Sequence, residues 1–337
     1  MKTNRTTENT ESTESHVAPD ISRLIHAFRK EPHDRTPNFE IAINKTNAQA
    51  LLGHALPDGY SFWNEDVLAD VISMAKLVGQ DAIPCALRMH AKHASVRTMD
   101  DIAAIVPPSM NDMRGKMERY LAAVKGTGIG VCANLAGPLT AAYMSAGPTA
   151  IESFMLMIYE QPELVARLLD LYTKFALDVI EATKDIPFHF FYIGDDVTGF
   201  MSPDHLAQLW APREAKIIEA ARATGRPVMC HCCGPMKDVL PFFADWKVNA
   251  INPVQTVVND VYAIHEKYPD FTIVGNICVQ ELLSFGTPEA VAADTKEHIR
   301  RLSDRRGYVV ASSHSIIDTV KPENYRALVE AAHAGTY

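Results

Sequence analysis

One histidine and three cysteines fill the consecutive positions Cys230-His231-Cys232-Cys233, at the end of an apolar run that opens with Val228-Met229 and breaks at Gly234-Pro235. Read as a strand, the run sends His231 and Cys233 to one face and Cys230 and Cys232 to the other. Neutral imidazole with thiolate is a zinc-type pair, and open catalytic zinc sites take three protein ligands and keep one position free. The third ligand must then come from elsewhere in the chain. The other reading of such a run is a core strand with buried cysteines, since free Cys is among the most buried residue types. That reading suits Cys230 and Cys232. The position of His231 and Cys233 at the last strand residues before a Gly-Pro break favours the metal.

Strands are needed to aim such groups, and eight short apolar or β-branched runs are found, each followed by a helical pattern. They are 38–43, 82–89, 129–135, 188–193, 227–233, 250–254, 271–277 and 308–312. Strands alternating with helices imply βαβ units and a parallel sheet, and eight units predict an α/β fold, a single (β/α)8 TIM barrel over residues 19–337. An open doubly wound sheet is the alternative; no Gly-x-Gly-x-x-Gly or phosphate-binding loop supports it. Residues 1–18 are Thr, Ser, Glu and Asn with little to bury and read as a disordered tail, and a first helix is expected from Ile21 to Phe28. Ser202-Pro203-Asp204, Thr287-Pro288-Glu289 and Lys321-Pro322-Glu323 mark helix starts, Gly225 and Gly335 mark ends, and Pro162 interrupts the long helical region 149–183.

In such a barrel the active site lies at the C-terminal ends of the strands. Glu40, Arg88, Asn134, Asp195-Asp196, His231, Cys233, Asn252, Asn276, Cys278 and His314 all fall on or just beyond the expected strands. His314 is the first candidate for third zinc ligand and Cys278 the alternate; use of both would close the site and suit a structural metal better. Adjacent Asp195 and Asp196 cannot both point inwards, so either one is a site acid and the other a loop or capping residue, or both only cap the following turn; Asp195 is taken as the candidate acid. Glu40 sits between Phe39 and Ile41, where a buried carboxyl must be paired, hydrogen-bonded or protonated, and it is taken as the second catalytic group. Arg88 is a candidate anchor for an anionic substrate group, with a bridge between two barrel carboxylates as the alternative, and Asn134, Asn252 and Asn276 are candidate substrate contacts. His90 and His93 are left as surface histidines.

A chain of 337 residues with 47% hydrophobic and 22% charged residues carries an ordinary globular core. Its net charge of −9 argues against nucleic acid or an anionic membrane as partner. No apolar run is long enough to span a bilayer and no secretory leader is seen, so a cytoplasmic location is expected, where six cysteines are metal-binding or buried rather than disulfide-bonded.

Taken together, Asp34-Arg35-Thr36-Pro37-Asn38-Phe39-Glu40, Gly194-Asp195-Asp196, Ser202-Pro203, His231-Cys232-Cys233-Gly234, Asn252-Pro253-Val254, Gly275-Asn276-Ile277 and Ser313-His314-Ser315-Ile316 resemble the uroporphyrinogen decarboxylase superfamily over residues 20–335. The resemblance implies a (β/α)8 barrel. It also implies one of two chemistries: metal-free porphyrinogen decarboxylation, or zinc-dependent methyl transfer to or from a corrinoid, as in methylcobamide:coenzyme M methyltransferases. The decarboxylases carry an Arg-rich Arg-Gln-Ala-Gly-Arg segment where this chain has Phe39-Glu40-Ile41-Ala42-Ile43-Asn44, without arginine. The methyltransferases use a His-x-Cys pair and a distant Cys; His231-x-Cys233 matches the pair, and His314 stands where the distant Cys is expected. The expectation is a zinc methyltransferase acting between a small thiol or methoxy compound and cobalamin. With no Asp-x-His-x-x-Gly corrinoid motif in the chain, the corrinoid is expected on a partner protein. A metal-free decarboxylase of the same family is the alternative, and a non-catalytic corrinoid-binding subunit a third reading.

Overall fold

The computed structural model describes residues 18–89, 95–147, 149–196, 199, 201–304 and 306–335. His90, His93 and all of the expected tail except Ala18 lie outside them. The fold is α/β: seven strands pair in parallel in chain order, β1 (Ala82–Ala86), β2 (Gly130–Ala136), β3 (Phe190–Gly194), β4 (Val228–His231), β5 (Ala250–Asn252), β6 (Thr272–Ile277) and β7 (Tyr308–Ser312). Helices return the chain between successive strands, and Pro322–Ala334 follows the last. The expected punctuation is in place: Ser202 Oγ and Thr287 Oγ1 accept the first free helix N–H groups, and helices 150–160 and 162–183 meet at Gln161-Pro162. No helix among the described residues is long and apolar enough to cross a membrane.

The first expected strand, 38–43, is not a strand, and the count of eight is corrected to seven. The segment makes only isolated bridges, Asn38 with Val310 and Ile43 with Ile316. The reason lies in its carbonyls, which side chains claim in place of a ladder: Gln80 Nε2 donates to Glu40 O at 2.9 Å, Trp63 Nε1 to Ile41 O at 3.0 Å and Tyr60 Oη to Ile43 O at 3.0 Å. Even so, the segment lies between the outer strands. Val310 N–H donates to Pro37 O, Phe39 N–H to Val310 O, and Asp81 N–H to Asn38 O.

Two apolar layers follow from the alternation of side chains. One face of the strands, with Ala82, Cys132, Phe190, Tyr192, Met229, Val274 and Val309, packs with Phe39 and Ile41. The helix Ile21–Arg29 presses Leu24, Ala27 and Phe28 against that same cluster, Phe28 meeting Phe190 edge to face at 5.1 Å. This helix covers the N-terminal end of the strands: Ile21 N–H bonds Gly128 O, and any Cβ at Gly130 would lie 2.2 Å from Ile21 Cδ1. Arg23 and Arg35 meet the buried Asp81 at the same end. The other face, with Ile83, Val131, Phe191, Cys230, Cys232 and Ile251, packs beneath the outer helices. With the N-terminal end plugged, the polar groups at the strands' C-terminal ends are left to form a chamber.

Candidate metal centre

His231 ends β4 and Cys233 follows two residues later, so both leave the strand on the same side, while Cys230 and Cys232 join the buried layer under the helices. His314 arrives just past the end of β7. One donor atom from each of His231, Cys233 and His314 lies within 4.8 Å of the others. Cys233 Sγ stands 3.2 Å from His231 Nε2, and the two imidazole rings meet edge to face with centroids 5.8 Å apart. Sulfur and nitrogen bound to one tetrahedral zinc sit about 3.5 Å apart, so little movement separates this arrangement from a coordinating one.

The hydrogen-bond network sets the chemistry of the donors. Asn252 Nδ2 donates to Val274 O at 2.9 Å, leaving Asn252 Oδ1 to accept from His231 Nδ1–H at 2.5 Å. A proton held on Nδ1 leaves the Nε2 lone pair facing Cys233, the tautomer a metal ligand needs. Burial, with His231 beside it, lowers the pKa of His314 and keeps that ring neutral. Burial, then Asp196, push the Cys233 thiol up, so the sulfur keeps its proton until a cation displaces it. Two imidazoles and one ionisable thiol are a donor set that zinc accepts.

The aspartate pair divides as alternation requires, and in the direction opposite to the one expected. Asp195 is 2% exposed, with Oδ1 accepting from Thr140 N–H at 2.6 Å and Oδ2 from Leu139 N–H and Trp210 Nε1–H, both at 3.1 Å. It caps the helix Pro138–Met144, and burial raises its pKa. Asp196 is the acid beside the triad: Oδ1 accepts from Cys233 N–H at 2.9 Å and lies 3.6 Å from His231 Nε2. Burial alone would raise Asp196, but His231, the Cys233 N–H and His314 hold it below the ordinary carboxylate range.

Glu40 is not brought to the cluster. Phe39 and Ile41 pack into the inner layer, so Glu40 between them faces the helices, fully buried, with Tyr325 nearby. Its Oε1 accepts from Ser312 N–H at 2.8 Å and its Oε2 from Ser312 Oγ–H at 2.7 Å. Burial pushes its pKa up to about 8. Asn252 uses its amide oxygen on His231 Nδ1 and its amide nitrogen on Val274 O, so it is placed against the triad. Cys278 falls outside the triad and lines a cleft of about 400 Å³ with Asp260, Tyr262, Glu281 and His298.

Arg88 and Asn134 meet. Arg88 Nε and Nη2 both donate to Asn134 Oδ1, and the guanidinium carbon lies 5.1 Å from the Trp63 ring and 6.0 Å from the Tyr192 ring. No carboxylate pairs with Arg88 among the described residues. Tyr192 is the wall shared with the triad, its ring 5.7 Å from that of His231. Asn134 Nδ2 and both amide atoms of Asn276 are buried without partners, as groups awaiting a bound molecule or water would be. Trp63 carried no sequence signal, sitting in an irregular loop; Tyr192 shares the parity of Gly194 on β3 and was open to the alternation argument.

The sequence profile of the Uroporphyrinogen decarboxylase (URO-D) family matches residues 68–335, well over half of the chain. The chain belongs to the URO-D family. Within that family it is similar to a methylcobamide:CoM methyltransferase of Methanosarcina mazei, 24% identical over 92% of this chain and 96% of the relative. It is also similar to a uroporphyrinogen decarboxylase of a Synechococcus species, 23% identical over 70% of this chain and 68% of the relative. A solved methyltransferase from Methanosarcina mazei superposes with a TM-score of 0.71 over 94% of this chain and 99% of its own, at 19% identity, and so shares the fold. Family membership thus embraces both methyl transfer and decarboxylation, and the choice between them rests on the site.

Proposed function

We propose that this URO-D family chain is a zinc-dependent methyltransferase, moving a methyl group between a small thiol or methoxy compound and a corrinoid carried by a partner protein. Its scaffold is then a (β/α)8 barrel in which segment 37–43 serves as an irregular eighth stave. The observation that carries the reading is the convergence of His231, Cys233 and His314, with the His231 tautomer fixed by Asn252. The similarity to a methylcobamide:CoM methyltransferase along nearly the full length supports it.

His231 Nε2, Cys233 Sγ and His314 would hold the metal and leave a fourth position for the reacting heteroatom. The chemistry zinc supplies at such a triad is Lewis acidity, which favours a coordinated thiolate or polarises the heteroatom of a methyl donor. The chain's own residues do the rest. Asp196, adjoining the triad, orients the Cys233 backbone. Arg88, with Asn134, anchors an anionic group of the small molecule, and Asn276, near the C-terminal end of β6, offers an unpartnered donor and acceptor. Tyr192 separates the anchor from the metal ligands by one aromatic ring, about 12 Å at most from guanidinium to imidazole, which suits a short substrate.

The decarboxylase reading has the family name behind it and the site against it. A porphyrinogen presents several carboxylates, whereas Arg88 is the guanidinium the described chamber offers them. Zinc-loaded protein incubated with methylcobalamin and a panel of anionic thiols should convert methylcobalamin to cob(I)alamin, followed by absorbance. Release of carbon dioxide from uroporphyrinogen, with no demethylation of methylcobalamin under any thiol, would overturn the proposal in favour of the decarboxylase.

A further inference from the structure

Glu40 is a fully buried carboxyl group with no cation beside it among the described residues, on the helix side of the strands and away from the chamber. Such a group is costly to bury unless it is hydrogen-bonded. Both of its oxygens are spent on one residue, Ser312, through the backbone N–H and the hydroxyl. Ser312 is the last residue of β7 and stands two residues before His314. The intervening Ser313 is tied to β6, its N–H donating to Ile277 O at 2.7 Å and its Oγ accepting from Val279 N–H at 2.9 Å. The turn that delivers His314 is therefore clamped from two sides, and Glu40 is the clamp on the side remote from β6.

Resting on the zinc reading above, we propose that Glu40 is a positioning residue for the metal centre: through Ser312 it fixes the turn that presents His314 as third ligand. The hydrogen bonds do not require ionised Glu40, since Ser312 Oγ can accept as well as donate, and a glutamine can make the same pair. The inference is thus about geometry and not about charge.

The test measures zinc affinity by chelator competition and the visible spectrum of the Co(II)-loaded protein. Glu40→Ala should raise the zinc Kd about ten-fold, the lower end of what loss of a ligand's outer hydrogen-bonding support costs, and weaken the Co(II) bands as water replaces His314. Glu40→Gln should bind zinc within about two-fold of the parent, because it restores the clamp. Should Glu40→Ala fail to fold, Ser312→Ala carries the test and should weaken zinc in the same direction. Parent-like affinity and spectrum in Glu40→Ala, or in Ser312→Ala if that variant stands in, would overturn the inference alone. A parent chain that binds no zinc would remove the zinc reading and this inference with it.

Discussion

Asn252 Oδ1 lies 2.5 Å from His231 Nδ1, and its own amide nitrogen is held by Val274 O. One buried side chain thus decides which nitrogen of His231 faces Cys233. Replacing Asn252 with Ala frees the ring to flip or to change tautomer and leaves Val274 O unsatisfied. Zinc affinity should fall on the order of 10- to 100-fold, read by chelator competition; an unchanged affinity would show that the ring is fixed by something else.

Arg88 is held by Asn134 and stacked near Trp63 and Tyr192, a setting that uses the planar fork of a guanidinium. Arg88→Lys should raise KM for an anionic substrate by roughly ten-fold or more, the worth of about 1.4 kcal/mol of lost binding, while zinc content stays at the parent value. Equal KM in the two proteins would remove the anion anchor.

The buried Glu40 makes stability depend on pH in a stated direction. Its pKa is raised from the ordinary 4.5 to about 8, so below 4.5 both folded and unfolded chains hold the proton and the group costs nothing. As pH rises towards about 8 the unfolded chain releases a proton that the folded chain keeps, and stability falls by on the order of 1.4 kcal/mol per unit at most. Urea midpoints of metal-free protein between pH 5 and 8 should decline less steeply in Glu40→Gln. Parallel declines would contradict the assignment.

Much of this arrangement is legible in the sequence. Seven of the eight expected runs become strands, because each is apolar, short and bounded by turn residues. His231 and Cys233 are legible from the period of two, and His314 from its place just past a strand. Two acids were not. In this fold the strands are buried on both faces, so Phe39 and Ile41 flanking Glu40 do not say which face is the inner one. For Asp195 and Asp196 the parity argument selects one acid without naming it; the outcome depends on Gly137, which lets Asp195 approach the helix that follows it.

Gly137 is the position where that approach is tightest. A Cβ there would lie 2.3 Å from Asp195 Cγ and Oδ2. Gly137→Ala should displace the capping carboxylate and lower stability by about 1–3 kcal/mol, measured by urea denaturation, with a weaker metal site because Asp196 is the next residue. Parent stability in Gly137→Ala would mean that the contact yields without cost.

His231, Cys233 and His314 are proposed to hold one zinc ion. Metal content of the chain purified without chelator, beside Cys233→Ser and His314→Ala, tests it directly. About one zinc per parent chain is expected, and its loss in both variants, each still folded by circular dichroism. A parent chain without metal despite zinc in the growth medium, or full zinc in both variants, would contradict it.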